Sequence, residues 1–295
     1  MFSISILIPV YNYDVSILLE SLKDQITTNL NEVIIIDDCS SNSKITKNNI
    51  EYCQKNNFQY YVNNSNLGRT KTRQKLALKA NAQKLLFIDV DTIVPNKDFL
   101  QKFINEAHNN DVVFGGISYG SLTNHNYSLR WKYGVNRESR NLKKRNITPY
   151  LSVISGCFLI DKLKFLKISE ALNFNLYGMD VLFSYQMKKL NLRIKHIDNP
   201  IIHIGLEENS EFIKKTEKGL DTLTWLSHKK LIPSNYRPIQ IKLNQLKKLK
   251  ICSSVGSLFK LFRPLIVKQL SSKNPSLRLF DIYRLGYLCY KSNVK

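Results

Sequence analysis

Residues 85–92 read LLFIDVDT, four apolar residues that run directly into two aspartates one residue apart. The apolar run is typical of a buried strand, and side chains at alternate positions of an extended segment point to the same side. Asp89 and Asp91 can therefore address one ligand just beyond the strand end. Two carboxylates this close suit a hard divalent cation, which neutralises their repulsion while gripping a phosphate. A lone Asp-x-Asp match is more often a solvated turn. The neighbouring segments must therefore show whether these two aspartates bind a ligand.

The length and composition are those of a folded protein with a large core. The 295 residues are 43% hydrophobic and 23% charged, which allows one large α/β domain or a domain with a substantial appendage. The five cysteines are odd in number and form no C-x-x-C pair, so neither a disulfide framework nor a zinc site is predicted. Residues 1–9 lack a basic segment and a cleavage site, and no uncharged apolar stretch reaches the roughly 18 residues that span a bilayer. We therefore expect a cytoplasmic protein, with any membrane association peripheral.

The net charge of +21 predicts attraction to something anionic, such as nucleic acid, anionic lipid or a phosphorylated substrate. This charge is concentrated near the C-terminus. From Lys229 onward, eleven lysines and four arginines stand against one acid, Asp281, which gives +14 of the total. The rest of the chain is much closer to balance.

Short β-branched or apolar runs alternate with helical patterns through the first third of the chain. Strands are predicted at residues 3–10, 32–36, 58–62 and 85–88, with amphipathic or basic helices between them. This βαβαβαβ order predicts a mostly parallel sheet with right-handed crossovers, and ligands gather at the carboxyl ends of such strands. The polar clusters after Val10, Ile36 and Ile88 should therefore face one crevice.

The later chain is predicted in less detail. A helix is expected at residues 98–109, a strand at 111–114, a second strand at 151–160 interrupted by a glycine, and a helix at 181–189. A further short strand is expected at 201–204. The basic, aromatic residues 119–150 fit neither period.

Four motifs in order resemble the signature of family 2 glycosyltransferases of GT-A fold. They are IPVYN at residues 8–12, IDDCS at 36–40, NLG at 66–68 with Arg73 beyond it, and DVD at 89–91. Four signals in the right order are far more specific than any one of them.

The resemblance covers roughly residues 2–210, and the segments at 179–180 and 196–205 are similar to a bacterial subgroup of the family. It implies an α/β, Rossmann-like GT-A domain at residues 1–210, with a mostly parallel central sheet flanked by helices. The nucleotide-binding half would be 1–95 and the acceptor-side half 96–210. A basic helical C-terminal extension, 211–295, would follow.

The resemblance also implies how a nucleotide-sugar donor, usually a UDP-sugar, is held. Asp37 or Asp38 would accept hydrogen bonds from the base or ribose, Tyr11 would pack on the base, and Asp89 would lie near the ribose. The full set of residues implied in donor binding is Pro9, Val10, Tyr11, Asn12, Asp37, Asp38, Asn66, Arg73, Asp89 and Val90.

In the family pattern Asp91 binds Mg²⁺ or Mn²⁺, which bridges the two phosphates and takes up charge as the nucleoside diphosphate departs. His203 matches a family position that can complete the metal shell and would favour Mn²⁺. Its other interpretation is a packed residue, which a lone histidine in an apolar strand more often is. His196 has the weaker claim to the metal.

Inverting transfer needs a base that takes the proton from the attacking acceptor hydroxyl. The resemblance gives this role to Asp180, whose alternative role is that of an ordinary acid at a helix start. The family commonly has an adjacent Glu-Asp pair, whereas Met179 precedes Asp180 here, and this departs from the pattern for the base. Ser155, Gly156 and Met179 are expected on the acceptor side.

The basic region beyond residue 210 has two interpretations. Residues 258–268 and 277–290 mix apolar side chains with lysine and arginine as interfacial helices do, which predicts contact with an anionic membrane surface. The other interpretation is a helical bundle whose charges are merely solvated.

The expected enzyme is a hexosyl- or N-acetylhexosaminyltransferase. It would act on a saccharide or lipid-linked saccharide hydroxyl in cell-surface polysaccharide synthesis, without a nucleic-acid partner. Two alternatives remain open. A nucleotidyltransferase usually carries a Gly-rich phosphate loop near its first strand, which this sequence lacks. A noncatalytic protein that binds anionic surfaces would explain the charge but not the acids at successive strand ends.

Overall fold

The computed structural model describes residues 3–26 and 31–293. The strands are β1 (Ile4–Val10), β2 (Asn31–Asp37), β3 (Gln59–Val62), β4 (Lys84–Ile88), β5 (Thr92–Ile93), β6 (Val112–Phe114), β7 (Ile117–Tyr119), β8 (Cys157–Asp161), β9 (Ile194–His196) and β10 (Ile201–His203). The α-helices are α1 (Ser16–Leu22), α2 (Ser43–Lys55), α3 (Arg69–Lys79), α4 (Phe99–Ala107), α5 (Ser128–Tyr133), α6 (Leu142–Ile147), α7 (Lys162–Glu170), α8 (Asp180–Lys189), α9 (Asn209–His228), α10 (Pro238–Lys248), α11 (Cys252–Leu270) and α12 (Leu277–Asn293).

The central sheet has the order β3-β2-β1-β4-β8-β6-β9. Strands β1 to β4 are mutually parallel where they pair, β8 runs antiparallel to β4 and β6, and β9 is parallel to β6. The predicted α/β class with a mostly parallel sheet is confirmed. The reversed strand β8 makes the sheet mixed, which the sequence pattern did not indicate.

The core lies around the middle strands of this sheet. β1 and β4 are apolar at nearly every position because helices cover both faces of a parallel sheet. Leu18 and Leu22 of α1 and Phe99 and Phe103 of α4 are fully buried in the same cluster as Ile6. This packing fixes the strand ends from which the functional loops emerge.

A second, small sheet has the order β5-β10-β7. β10 is antiparallel to β5, with His203 opposite Thr92, and parallel to β7, with His203 opposite Tyr119. The strand at 201–204 was predicted, but its pairing with the residues just after Asp91 was not. This pairing is what brings a histidine to the Asp-x-Asp segment.

Two stretches differ from the prediction. The strand predicted at 151–160 is wrong in its first half, because Leu151 and Ser152 donate backbone hydrogen bonds to the Thr148 carbonyl in turns, and β8 begins only at Cys157. The unassigned residues 119–150 form α5, a π-helical turn at Gly134–Glu138 and α6. Short helices of this kind have too few turns to show a clear period.

The chain forms two compact units, each made of three segments. The first contains the described residues of Met1–Gly120, Ser139–Asn175 and Gln186–Gly205, and the second those of Ser121–Glu138, Leu176–Tyr185 and Leu206–Lys295. The predicted division into 1–210 and 211–295 treated each part as continuous. It differs from the observed division because residues such as Leu129 pack against C-terminal side chains such as Phe212.

The second unit is a helical assembly with its own apolar core. Phe212 of α9, Phe259 of α11 and Phe280 and Tyr283 of α12 are buried together in it. Tyr283 and Arg263 both donate hydrogen bonds to Glu217, at 2.5 and 2.8 Å. Among the described residues, no helix is long and apolar enough to cross a membrane.

Asp111, just before β6, joins three elements of the first unit. Its carboxylate accepts hydrogen bonds from Lys164 Nζ of α7 at 2.6 Å and from the backbone N–H of Arg193, before β9, at 2.8 Å. Burial favours the neutral acid, but these hydrogen bonds and the charges of Lys164 and Arg193 outweigh it and hold the pKa of Asp111 below its ordinary value. The ionised carboxylate therefore stabilises the fold.

Asp111→Asn is expected to lower the free energy of unfolding by about 1–3 kcal/mol at neutral pH, because an amide replaces the charged acceptor. A carboxyl whose folded pKa is depressed stabilises the fold above its unfolded pKa of about 3.9 and loses this effect as pH falls through the folded value. The deficit of the variant should therefore shrink in acid. Urea unfolding at neutral and acidic pH measures it, with the exposed Asp98→Asn as the control, and a deficit independent of pH would contradict the assignment.

Candidate active site

The loops after β1 and β2 lie at the same edge of the sheet, because Val10 and Asp37 are paired in the parallel ladder. The Asp38 N–H donates to the Val10 carbonyl at 2.8 Å. Asn12 then joins the loops, since its N–H donates to Ser40 Oγ at 2.7 Å and its side-chain oxygen accepts from the Asn42 N–H at 3.1 Å. Asn12 adopts a left-handed φ of 51°, which asparagine tolerates better than most residues.

Asp37 is completely buried and is bound to its own chain. Its carboxylate accepts from the Ser40 N–H at 2.7 Å, from Thr46 Oγ1 at 3.1 Å and from the Tyr60 hydroxyl at 2.9 Å. Burial and this contact with Asp37 raise the pKa of Tyr60 above its ordinary value, so the phenol stays a donor. Asp37 therefore holds the loop after β2 in place.

Asp38 organises the loop before α3. It accepts from the Asn63 side chain at 2.8 Å and from the N–H groups of Leu67 and Gly68 at 2.9 and 2.7 Å. Gly68 has a φ of 80°, and a Cβ there would lie 2.0 Å from the Asn175 side chain, so glycine is required. Asp38 thus sets where α3 begins.

The neighbouring groups at the predicted donor site differ in exposure. Pro9 is half-buried, Val10 and Val90 are buried, and Tyr11 and Asn66 are exposed in the loops. The donor-binding roles of all these residues, including Asp37 and Asp38, stay predictions. What the geometry establishes is that both acids shape the loops at this sheet edge.

Arg73 and Arg69, one turn apart on α3, both contact Asp89. Arg73 Nη2 donates to Asp89 Oδ1 and to the Ser155 carbonyl, each at 2.6 Å, and Arg69 Nη1 lies 3.3 Å from Asp89 Oδ2. Arg69 Nη2 donates to Ser155 Oγ at 3.2 Å. The Asp89 N–H donates to the Gly156 carbonyl at 2.8 Å. These bonds tie α3, the end of β4 and the start of β8 into one cluster.

The two arginines of this cluster differ in exposure. Arg73 is buried, with its guanidinium 5.5 Å from the ring centre of Phe158, whereas the Arg69 side chain is 48% exposed. Arg73 belongs to the family-like motif that begins at residue 66, whereas Arg69 does not. The structure places both against Asp89, so the carboxylate of Asp89 is already charge-compensated.

Asp91 points elsewhere, to His203. The distance from His203 Nε2 to Asp91 Oδ2 is 3.2 Å, and the Ile204 N–H donates to the Asp91 carbonyl at 2.9 Å. Gly205 leaves room for the carboxylate, because a Cβ there would lie 2.3 Å from Asp91 Oδ2. The His203 ring also lies 5.5 Å from the ring of Tyr119.

The charge state of Asp91 follows from these contacts. Burial would raise its pKa, but the hydrogen bond and charge of His203, with a further contribution from Arg69, hold the pKa below its ordinary value. The carboxylate is therefore ionised at neutral pH and available to a cation.

Asp91 and His203 fit a divalent metal ion that is shared with a substrate. Among the described residues, no three His, Cys, Asp or Glu side chains cluster as a metal cage would require. Magnesium and similar ions at nucleotide sites take only one or two protein ligands, the rest being phosphate oxygens and water. A carboxylate oxygen of Asp91 and an imidazole nitrogen of His203 supply two such ligands. Asp89 could bind the ion only by breaking its contacts with Arg69 and Arg73. The ring nitrogen that faces Asp91 is Nε2. The other one, the buried Nδ1, has no hydrogen-bond partner in the part of the chain that the structure describes.

His196 does not share this position. It is fully buried, stacks 5.3 Å from the ring of Phe114 and places Nε2 3.0 Å from the Pro149 carbonyl. Burial lowers its pKa to about 4, so it is a neutral core residue at physiological pH. This packing agrees with the expectation that His196 has a weaker claim to the metal than His203.

Ser155 and Gly156, expected on the acceptor side, are both part of the arginine cluster through the contacts above. Asp180 and Met179 belong to the second unit. Asp180 is the first residue of α8 and half-buried, and Met179 is buried. Gly178, with a φ of 86°, turns the chain into the helix. The role of Asp180 as base stays a prediction.

The sequence model described as "Glycosyl transferase family 2" matches residues 5–166. The crystal structure of S. aureus TarS 1–349 matches with a TM-score of 0.53 at 18% identity, covering 99% of this chain and 92% of that one. The same fragment in complex with UDP gives 0.52, at 18% identity and the same coverage. Its complex with UDP-GlcNAc gives 0.50 at 16% identity, again covering 99% and 92%. At such identity the likeness shows the fold alone, and no curated protein matches the chain.

Proposed function

Because the chain belongs to glycosyl transferase family 2 and is a glycosyltransferase, we propose that it moves a sugar from a UDP-sugar to a saccharide hydroxyl with inversion, aided by Mn²⁺ or Mg²⁺. The acceptor is a saccharide or lipid-linked saccharide, and the sugar a hexose or N-acetylhexosamine. Because the chain belongs to this family, we do not propose the two alternatives, a nucleotidyltransferase and a noncatalytic binding protein.

The Asp91–His203 pair carries this proposal. Asp91 lies two residues beyond the arginine-bound Asp89, just after the carboxyl end of β4, where ligands of parallel sheets gather. The TarS fragment was crystallised with UDP and with UDP-GlcNAc, which supports a uridine nucleotide as donor here.

Each charged residue of the site has its own proposed role. Asp91 and His203 would hold the metal ion, which supplies positive charge to the diphosphate as it leaves. Arg69 is the more exposed of the two arginines and its contact with Asp89 is long, at 3.3 Å, so its guanidinium can turn to a phosphate at little cost. Arg73 and Asp89 keep the cluster rigid. Asp180 would take the proton of the acceptor hydroxyl.

The proposed setting is cell-surface polysaccharide synthesis. A cytoplasmic location, expected from the cysteine pattern, stays a prediction.

Donor binding can be tested by ligand-induced stabilisation. We expect UDP to stabilise the protein against unfolding in the presence of Mn²⁺, by about 2.7 kcal/mol at a concentration one hundred times Kd, and much less with EDTA. Thermal unfolding followed by fluorescence measures this, with ADP as the matched control nucleotide. Equal stabilisation with and without metal would argue against a shared metal and diphosphate site, and no stabilisation by any uridine nucleotide would argue against the donor class.

A further inference from the structure

Helix α11 of the second unit is apolar on two sides. Phe259 and Leu270 on its inner side are buried in the core of that unit. On another side of the helix, four large apolar side chains are exposed, an arrangement we call the outer stripe. The outer stripe consists of Leu258, Leu261, Phe262 and Leu265, which are 56%, 69%, 47% and 64% exposed.

The spacing of the outer stripe places its members on one face of the helix. The second, third and fourth members follow Leu258 by three, four and seven positions, which is one side of a helix with 3.6 residues per turn. Scattered single apolar residues are normal at a protein surface, whereas a contiguous row is characteristic of an interaction site. The outer stripe therefore has the form of an interaction site.

Lysine and arginine are frequent in the sequence on both sides of the outer stripe. Lys268 follows Leu265 by three positions and extends the same face, while Lys260 flanks it, and both side chains are exposed. The stretch from Lys229 to Phe280 contains nine lysines and three arginines and no acid, a formal charge of +12. The partner must therefore offer apolar contact together with negative charge.

We propose that the outer stripe lies on the surface of an anionic lipid bilayer, with its leucines among the acyl chains and its lysines among the headgroups. An amphipathic helix that is basic at its margins binds such a surface both by burying its apolar side chains and by attracting the anionic headgroups. A second copy of this chain fits less well, because pairing the two stripes would bring two stretches of +12 together. This inference rests on the second unit alone and does not depend on the proposed sugar transfer.

Cosedimentation of the full chain with lipid vesicles tests the proposal. We expect binding to vesicles of phosphatidylcholine with an equal part of phosphatidylglycerol, little binding to phosphatidylcholine alone, and release by salt. The variant L258S/L261S/L265S should bind the anionic vesicles at least about tenfold more weakly, because three apolar side chains are removed. The matched control L78S/I147S/L163S removes three exposed apolar side chains of the first unit and should bind as the unchanged protein does.

Several results would overturn the proposal. They are no binding to anionic vesicles, equal binding to neutral ones, and undiminished binding of the stripe variant. A dimer in sedimentation velocity that the stripe variant dissociates, without vesicle binding, would show that a second copy covers the stripe. If the stripe variant does not fold by circular dichroism, K260Q/K268Q supplies the test and should bind anionic vesicles more weakly. Hydrolysis of the UDP-sugar without vesicles should be unchanged in either variant, which separates this test from that of the enzymatic function.

Discussion

Asp91→Asn is expected to reduce metal-dependent turnover of the UDP-sugar by at least about 100-fold, while the protein stays folded. The carboxylate is the charged half of the Asp91–His203 pair, and its removal leaves one imidazole to hold the cation. The amide oxygen can still accept from His203 Nε2, which lies 3.2 Å from Asp91 Oδ2, so the local structure should survive. The measurement is the rate of UDP release over a range of Mn²⁺ concentrations.

The matched control for this variant is Asp98→Asn. Asp98 is an exposed aspartate of the same unit whose side chain pairs only with Lys102 among the ion pairs of the described residues, one turn away on α4. Its substitution should leave turnover unchanged. Turnover by Asp91→Asn at the original rate, with the original metal dependence, would remove Asp91 from the mechanism.

Asp180→Asn is expected to leave donor binding intact while transfer to the acceptor falls by about 10²–10⁴-fold, the range for loss of a general base. The two interpretations of Asp180 predict very different effects of this substitution on the transfer rate. A helix-start acid contributes only about 0.3–1 kcal/mol of stability, and its loss would not change the rate of the chemical step. The measurements are the Kd for UDP with Mn²⁺ by calorimetry and kcat for transfer.

Glu211→Gln is the control for Asp180→Asn, because Glu211 is an exposed acid in the first turn of α9 in the same unit. It should alter neither measurement. Loss of donor binding in Asp180→Asn would count against the base and indicate a structural or donor-side role. A transfer rate equal to that of the control would leave Asp180 as an ordinary acid at a helix start.

The outline of the catalytic unit follows from the sequence because its signals are local. An apolar run long enough for a buried strand, followed by polar residues, predicts a strand end. Such ends were predicted at Val10, Ile36 and Ile88, and the strands end at Val10, Asp37 and Ile88. The spacing of Asp89 and Asp91 predicts that both could address one ligand, whereas in the structure Asp89 contacts two arginines and Asp91 contacts His203. The predicted features depend on residues within a few positions of each other.

Local sequence patterns did not reveal which side chains contact each of these aspartates. Asp89 and Asp91 look equivalent in sequence, but Asp89 is bound by Arg69 and Arg73 of the preceding helix, and Asp91 by His203 from more than a hundred residues away. Likewise Asp37 and Asp38 are adjacent, yet one is held by its own loop and β3, and the other fixes the loop before α3. Only folding decides which charge compensates which.

The sequence by itself determined the order of strands and helices as far as β4, the acids at the strand ends, the family and the concentration of positive charge near the C-terminus. Only the tertiary structure decided which partner each of the two carboxylates has, because the β5–β10 pairing sets His203 against Asp91 while two arginines contact Asp89. It also decided which leucines of α11 are open, since both sides of that helix are apolar and only one meets the core. In each case the deciding contact joins residues far apart in the chain.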